Sequence, residues 1–321
     1  MKHKSTLWML LSMVLFTSQL QATCGAYTCP ILNFTPIPEK KFEFGVAYES
    51  IHQDQVYVGS ERSTVGAIPQ HHDEKETNTQ LYIFSAKYRL SDTSRIRAEL
   101  PYINRSHEHI HNHHGEKILD SWNMTGAGDA SLFYDKVLHH TEVAKLALTT
   151  GVKLPTGKRE IKNEDGDTAE VPIQPGTGSV DYSLGLFYHQ GLFTVPNLDG
   201  NQVLLPLKIG VGYTMNGIGT DGWQFGNQFL GSLGTSYLVS KKVSLHLDTI
   251  FRTQEKANAG TTGEHTESTG GQWVYLTPGV EVALNDWFSI KTAMQFPLWQ
   301  DVNGIQLVSP YNIRIDTAIR F

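Results

Sequence analysis

Apolar and polar side chains alternate at every second position through most of the chain, and helical periodicity is nearly absent. The alternating segments are 41–51, 80–90, 94–105, 129–139, 142–154, 180–190, 202–214, 224–239, 242–254, 272–284, 288–298 and 311–321, which predicts about 12 strands. Most run to about 11 residues, twice the usual soluble strand and the length of a tilted strand crossing a bilayer. The connections alternate as well. Long stretches (52–79, 106–128, 155–179, 255–271) are separated by tight ones (91–93, 140–141, 240–241, 285–287), and 191–201 is the exception. An even strand number with that alternation predicts an all-β fold, a closed antiparallel transmembrane β-barrel with short periplasmic turns and long external loops.

The faces of single strands agree. In the last strand Tyr311, Ile313, Ile315, Thr317, Ile319 and Phe321 share one face, opposite Asn312, Arg314, Asp316, Ala318 and Arg320. A soluble sandwich shows the same two-faced pattern, so strand length and loop alternation carry the distinction. Aromatic residues such as Tyr82, Tyr102, Tyr188, Tyr213, Trp287 and Trp299 crowd toward strand ends, where interface girdles sit. Pro101, Pro206, Pro278 and Pro297 fit a closed barrel badly, because no edge hides a missing N–H; bulges or rim positions are expected there. Segment 129–139 alternates poorly and its facing is unassigned.

The first 22 residues change the picture of location. Lys2 and Lys4 precede the apolar run from Leu7 to Phe16 and a polar stretch to Ala22, the order of a secretory signal too short to span a bilayer. Residues 1–22 are therefore read as a signal peptide, 23–40 as a periplasmic tail or lumen plug, and 41–321 as the barrel. Cys24 follows Thr23, where a lipoprotein signal needs a small Gly, Ala or Ser. With 26 Lys+Arg against 32 Asp+Glu there is no basic excess for nucleic acid, and 2 Cys make no disulfide scaffold.

Three elements in the middle of the chain carry a resemblance: GAGDASLFYDKVL at 126–138, KLALTTGVKLPTGKRE at 145–160, and PGTGSVDYSLGLFYHQGL at 175–192. In order and spacing their G-x-G-D, L-P-T-G and G-T-G-S-x-D-Y signatures resemble the outer-membrane transporter family labelled "MetA-pathway of phenol degradation". The resemblance covers about residues 120–192 and implies an outer-membrane barrel associated by name with aromatic compounds. The aromatic C-terminal strand ending at Phe321 resembles outer-membrane proteins whose ending is read by the barrel-assembly machinery, and membrane lipid and lipopolysaccharide are the expected surroundings.

Candidate chemistry lies in the lumen and in the loops. The inward, pore-lining candidates are Lys87, Arg89, Arg95, Arg97, Glu99, Lys145, Lys153, Asp181, His189, Lys208, Glu281, Lys291, Arg314, Asp316 and Arg320. Mixed charge in a twelve-stranded lumen is either a web of cross-lumen ion pairs or a narrow path whose field selects a solute. Of 14 His, those at 71, 72, 107, 109, 111, 113 and 114 fall in two long connections beside Asp73 and Glu74. His71, His72, His107, His109, His111, His113 and His114 are candidate ligands for Zn, Cu or Ni; the alternative is a solvated polar loop. Binding by such imidazoles fades below a pH of about 6.5. Cys24 and Cys29 are read as a local disulfide or a metal-handling thiol pair. The acidic run 163–170 is expected to be a solvated external loop, and Gly217-Ile-Gly219-Thr-Asp-Gly222 a loop with no following helix to orient a phosphate. No G-x-S-x-G elbow occurs; His246 and Asp248 share an inward face, as a polar lumen also requires. The leading expectation is a channel that passes a small, aromatic or hydrophobic solute and needs no cofactor. The runner-up is a metal-binding surface or uptake protein working through the His-rich loops; a barrel enzyme and a soluble exported β-protein come after these.

Overall fold

The computed structural model describes residues 40–68, 72–113, 116–164, 166–261 and 266–321. The signal peptide, the 23–39 tail and the Cys24–Cys29 pair lie outside them, as do His71 and His114.

Twelve strands close into one antiparallel barrel. In chain order these are β1 (Phe42–Gln53), β4 (His72–Ser91), β5 (Ser94–His113), β7 (Ser131–His140), β8 (Ala144–Lys153), β9 (Asp181–Pro196), β10 (Gln202–Met215), β11 (Gln228–Ser240), β12 (Val243–Gln254), β13 (Gly271–Ala283), β14 (Phe288–Val308) and β15 (Asn312–Arg320). Each pairs with its neighbours, and β1 pairs with β15 to complete the ring. Three further strands extend the wall at the loop end: β2 (Gln55–Gly59) and β3 (Glu61–Ser63) continue beyond β14, and β6 (Glu116–Ala127) pairs with the far half of β5. Closure leaves no unpaired edge, the condition for a sheet surrounded by lipid.

The closing seam is knit by charge as well as by backbone. Glu43 stands opposite Arg320 on one side and Lys87 on the other, and Glu49 opposite Arg314. Arg320 Nε donates to Glu43 Oε2 at 2.7 Å, Lys87 Nζ to Glu43 Oε1 at 2.5 Å, and Arg314 binds both Glu49 and Asp316. The outward face of the same strands is apolar, with Phe44, Val46, Phe84 and Ile315 exposed. Phe321 packs against Phe44 with ring centroids 6.3 Å apart.

The four prolines sit where the ladder breaks. Pro206 lies at the register shift between β9 and β10, and Pro297 at the shift between β13 and β14. Pro278 falls in the gap of the β13–β14 ladder between Leu276 and Gly279. Pro101 stands where β5 exchanges partners, pairing β7 through Glu99 and β6 from Tyr102 onward. Its missing N–H has no partner strand to meet, and its carbonyl accepts Gly128 N at 2.8 Å.

Sequence periodicity stopped short at several strands. β4 and β5 each have 20 residues and β14 has 21, because polar extensions at 72–79 and 106–113 and a mixed one at 299–308 continue the strands past the predicted ends. The exceptional connection 191–201 is a continuation of β9 with a short turn at 197–201. Segment 129–139 does alternate: Phe133, Asp135 and Val137 turn inward, while Leu132, Tyr134 and Leu138 are exposed.

Leu247 belongs to the outward apolar band. Leu247→Arg is expected to lower the unfolding free energy in lipid vesicles by about 2–4 kcal/mol, measured by urea titration of tryptophan fluorescence.

Candidate functional site

Inward-facing residues enclose two cavities, one of about 440 Å³ toward the loop end and one of about 520 Å³ toward the turn end. Ile83, Arg97, Glu99, Phe187 and Arg314 line both, so among the described residues a collar of side chains divides the lumen. Of the lumen candidates named from sequence, Arg95, Lys153 and Asp181 line the loop-end cavity. Lys87, Lys145, His189, Lys208, Glu281, Lys291, Asp316 and Arg320 line the turn-end cavity. Arg89 lines neither; it sits at the turn end, bonded to Asp92 and to the carbonyl of Ser91.

Periodicity does not show the partners of these charges, and β7, whose alternation is poor in sequence, supplies two of them, Asp135 and Phe133. Asp135 accepts from Arg95 Nε at 2.6 Å and from Thr149 Oγ1 at 2.5 Å, all buried. Arg97 lies 3.9 Å above the Phe133 ring and Arg252 4.3 Å from Trp273, where the flat guanidinium meets the face of the aromatic system. Ile51, Leu81, Ile83, Ile103 and Phe187 complete the loop-end wall, giving it an apolar body with fixed charges set into it.

The loop end is narrowed by the 155–179 connection, of which the described residues at 163–168 are largely exposed, as expected of a solvated loop, while the stretch from Ala169 turns inward. Its tip is exposed at Glu164 and Asp167, but Ala169, Val171, Pro172, Ile173 and Gln174 are buried. A 3-10 turn, Val171–Ile173, carries them inward. Ile161, Ala169 and Ile173 pack on Trp122 and Met124 of β6; Val171 packs with Trp223 and Ala257. Arg105, buried in the wall, donates to the Ile173 carbonyl at 2.6 Å.

Both ends of this loop are tied at one carboxylate. Asp129 Oδ1 accepts Gly157 N at 2.8 Å, and Oδ2 accepts Thr177 N at 2.8 Å and Thr177 Oγ1 at 2.6 Å. Lys153 Nζ bridges Asp129 (3.3 Å) and Asp181 (2.5 Å). The three glycine-rich elements noted in the sequence thus meet in space. A Cβ on Gly157 would stand 2.6 Å from Gly176 Cα, so only glycine allows the two loop stems to touch. Gly217 N donates to Asp181 Oδ1 at 3.0 Å, which draws the 216–227 connection into the same knot.

Of the candidate histidines, three are placed within a strand and not in a solvated loop. His107, His109 and His111 lie on β5, paired with β4 on one side and β6 on the other. His72 and His113 are in strand ends, with side chains outside the described set. His107 and His109 point inward, and with Glu74 they bring three ligand-type atoms within 4.8 Å of one another. The side chains of His107 and Glu74 are only 0% and 3% exposed, with His107 Nε2 3.1 Å from Glu74 Oε2. Burial, reinforced by the neighbouring carboxylates of Glu170 and Asp73, pushes Glu74 well above the usual carboxylate range. The outward face of this extension is mostly polar, with Lys75, Asn104 and Asn123 exposed beside Leu119, so the cluster sits above the continuous apolar band.

No family model and no curated protein matches the chain. Solved structures do. An outer-membrane channel from Pseudomonas putida F1 is similar over 89% of this chain and 97% of its own, at 14% identity and a TM-score of 0.64. The transport unit of the Escherichia coli autotransporter AIDA-I covers 92% of this chain and 95% of its own at 10% identity and a TM-score of 0.48. A Pseudomonas aeruginosa FadL homologue covers 88% and 91% at 10% identity and a TM-score of 0.45. The fold is that of an outer-membrane β-barrel.

The inward face around His246 lacks the geometry of a catalytic triad. Ser244 Oγ (3.0 Å) and Glu281 Oε2 (3.6 Å) both approach the same ring nitrogen, Nε2, whereas a triad places nucleophile and carboxylate on opposite nitrogens.

Asp129→Ala deletes the acceptor that holds both loop stems and leaves Lys153 with one carboxylate fewer. It is expected to cost about 3 kcal/mol, read as a lower urea midpoint, and to raise protease cleavage within 158–175 ahead of global unfolding.

Proposed function

We propose that this protein is an outer-membrane channel for a small solute, with the 155–179 loop as its constriction. The observation that carries the reading is the divided lumen: two cavities of about 440 and 520 Å³ meet at a collar of side chains. Side chains at a collar move far more easily than backbone, so a path through the barrel needs only rotamer changes and a shift of the tethered loop. The likeness of fold to the Pseudomonas putida F1 channel supports the same class.

The solute is best matched by an apolar or aromatic body. Ile51, Leu81, Ile83, Phe133 and Phe187 supply the surface for it in the loop-end cavity. The Gly126–Asp129, Leu154–Gly157 and Gly176–Tyr182 elements resemble the MetA-pathway family, whose name points to aromatic compounds, and they build the knot that holds the constricting loop. The near balance of basic and acidic side chains along both cavities favours weak ion selectivity.

Single-channel recording of the purified mature protein in planar bilayers tests this. Small discrete openings are expected, with a conductance several-fold larger once residues 159–174 are replaced by a short Gly-Ser linker. Absence of openings in both forms would overturn the channel reading. For the solute class, phenol and benzoate should swell protein-containing liposomes faster than a sugar of similar size, and equal rates would remove the aromatic preference.

A further inference from the structure

The buried cluster on the loop-end extension is the part of the molecule that the channel reading leaves unexplained. We propose that Glu74, His107 and His109 form a site for a divalent transition metal ion at the seam between the barrel wall and the inward loop. The proposal concerns binding and stands apart from whether the lumen conducts.

Three observations support it. The first is convergence: His107 and His109 are two residues apart on β5 and so share its inward face, while β4 places Glu74 directly across from His109. Three ligand atoms within 4.8 Å surround one point, and two imidazoles with a carboxylate suit Zn, Cu, Ni or Co.

The second is the way the rings are held. His107 Nδ1 is hydrogen-bonded to Thr77 Oγ1 at 2.9 Å, which turns Nε2 toward Glu74. His109 presents Nδ1 to the same point, 3.4 Å from His107 Nε2, while its Nε2 faces Asp120 Oδ2 at 3.8 Å. For His107 the Thr77 hydroxyl on its far nitrogen is the outer shell that metal-binding histidines use to fix tautomer and orientation; the Asp120 carboxylate stands beyond hydrogen-bond distance of His109 Nε2.

The third is an electrostatic deficit. Among the described residues neither oxygen of the buried Glu74 receives a hydrogen bond, although His107 Nε2 lies 3.1 Å from Oε2. A cation at the convergence point would satisfy both of these oxygens. Because Glu170 belongs to the inward loop, an ion bound here would also strengthen the seating of that loop against Trp122 and Met124.

The test uses the mature protein in detergent, stripped with chelator, in a Cys24→Ser/Cys29→Ser background so that thiols do not report. Calorimetric titration with Zn²⁺ should show one tight site. His107→Gln/His109→Gln should weaken it by about 100-fold or more, while His71→Gln/His72→Gln/His113→Gln/His114→Gln leaves it within a few-fold. Heat-modifiable gel migration checks that each variant is folded. Should the core variant not fold, Trp122 gives a second readout, its ring lying 4.8 Å from His109. Cu²⁺ should quench the fluorescence of the folded protein, and Trp122→Phe should lose that quenching while keeping the Zn²⁺ affinity. Absence of a tight Zn²⁺ site, loss of binding in the rim variant alone, or quenching unchanged by Trp122→Phe would each overturn the proposal.

Discussion

A sheet whose outer face meets lipid has nowhere to satisfy a stray N–H or C=O except within itself, and every other feature of this molecule follows from the ring closure that meets this demand. The seam joins the first and last strands, so its register closes the whole ring. Its inward side carries Lys87, Glu43 and Arg320 near the turn end and Glu49, Arg314 and Asp316 further along. Truncating one partner would strand another in a low-dielectric wall, so these pairs reward the correct register and penalise a slip. The interior therefore had to be polar, and the lumen inherits its charges from the requirements of closure.

The same logic explains how a loop can live inside the barrel. Residues 169–177 carry backbone groups away from solvent, which is tolerable only where partners are supplied. Asp129, Arg105, Gln174 and Thr177 supply them, and Lys153 balances the charge. The stems touch at Gly157 and Gly176. A constriction tethered at its stems and packed through a few apolar side chains suits a lumen that must be narrow yet passable.

At the loop end the wall rises past the apolar band, and there the chemistry of its inner face changes. Outward positions on this extension are mostly polar, so the chain's hydropathy marks it only weakly as strand. Its inner face is nonetheless covered, by the loop that bends back over Trp122 and Met124. This gives His107, His109 and Glu74 a buried environment that an isolated hairpin could not offer.

The sequence by itself determined the barrel, its strand number, the alternation of turns and loops, and most of the charged side chains that line the lumen, Arg89 and Asp135 excepted, because a two-residue period over bilayer-length strands is a local property. It marked Pro101, Pro206, Pro278 and Pro297 as breaks in the ladder for the same reason. It also flagged Gly126–Asp129, Gly157 and Gly176–Ser179 without saying that they meet. What only the tertiary structure decided are contacts between segments far apart in the chain. Asp129 binds Gly157 and Thr177 across the barrel mouth, and Arg105 reaches Ile173. Glu74 faces His107 and His109 because β4 and β5 continue as strands where their outer faces no longer need to be apolar. Periodicity reports burial on one face against lipid on the other; where water replaces lipid outside, that signal disappears and the fold alone places the residues.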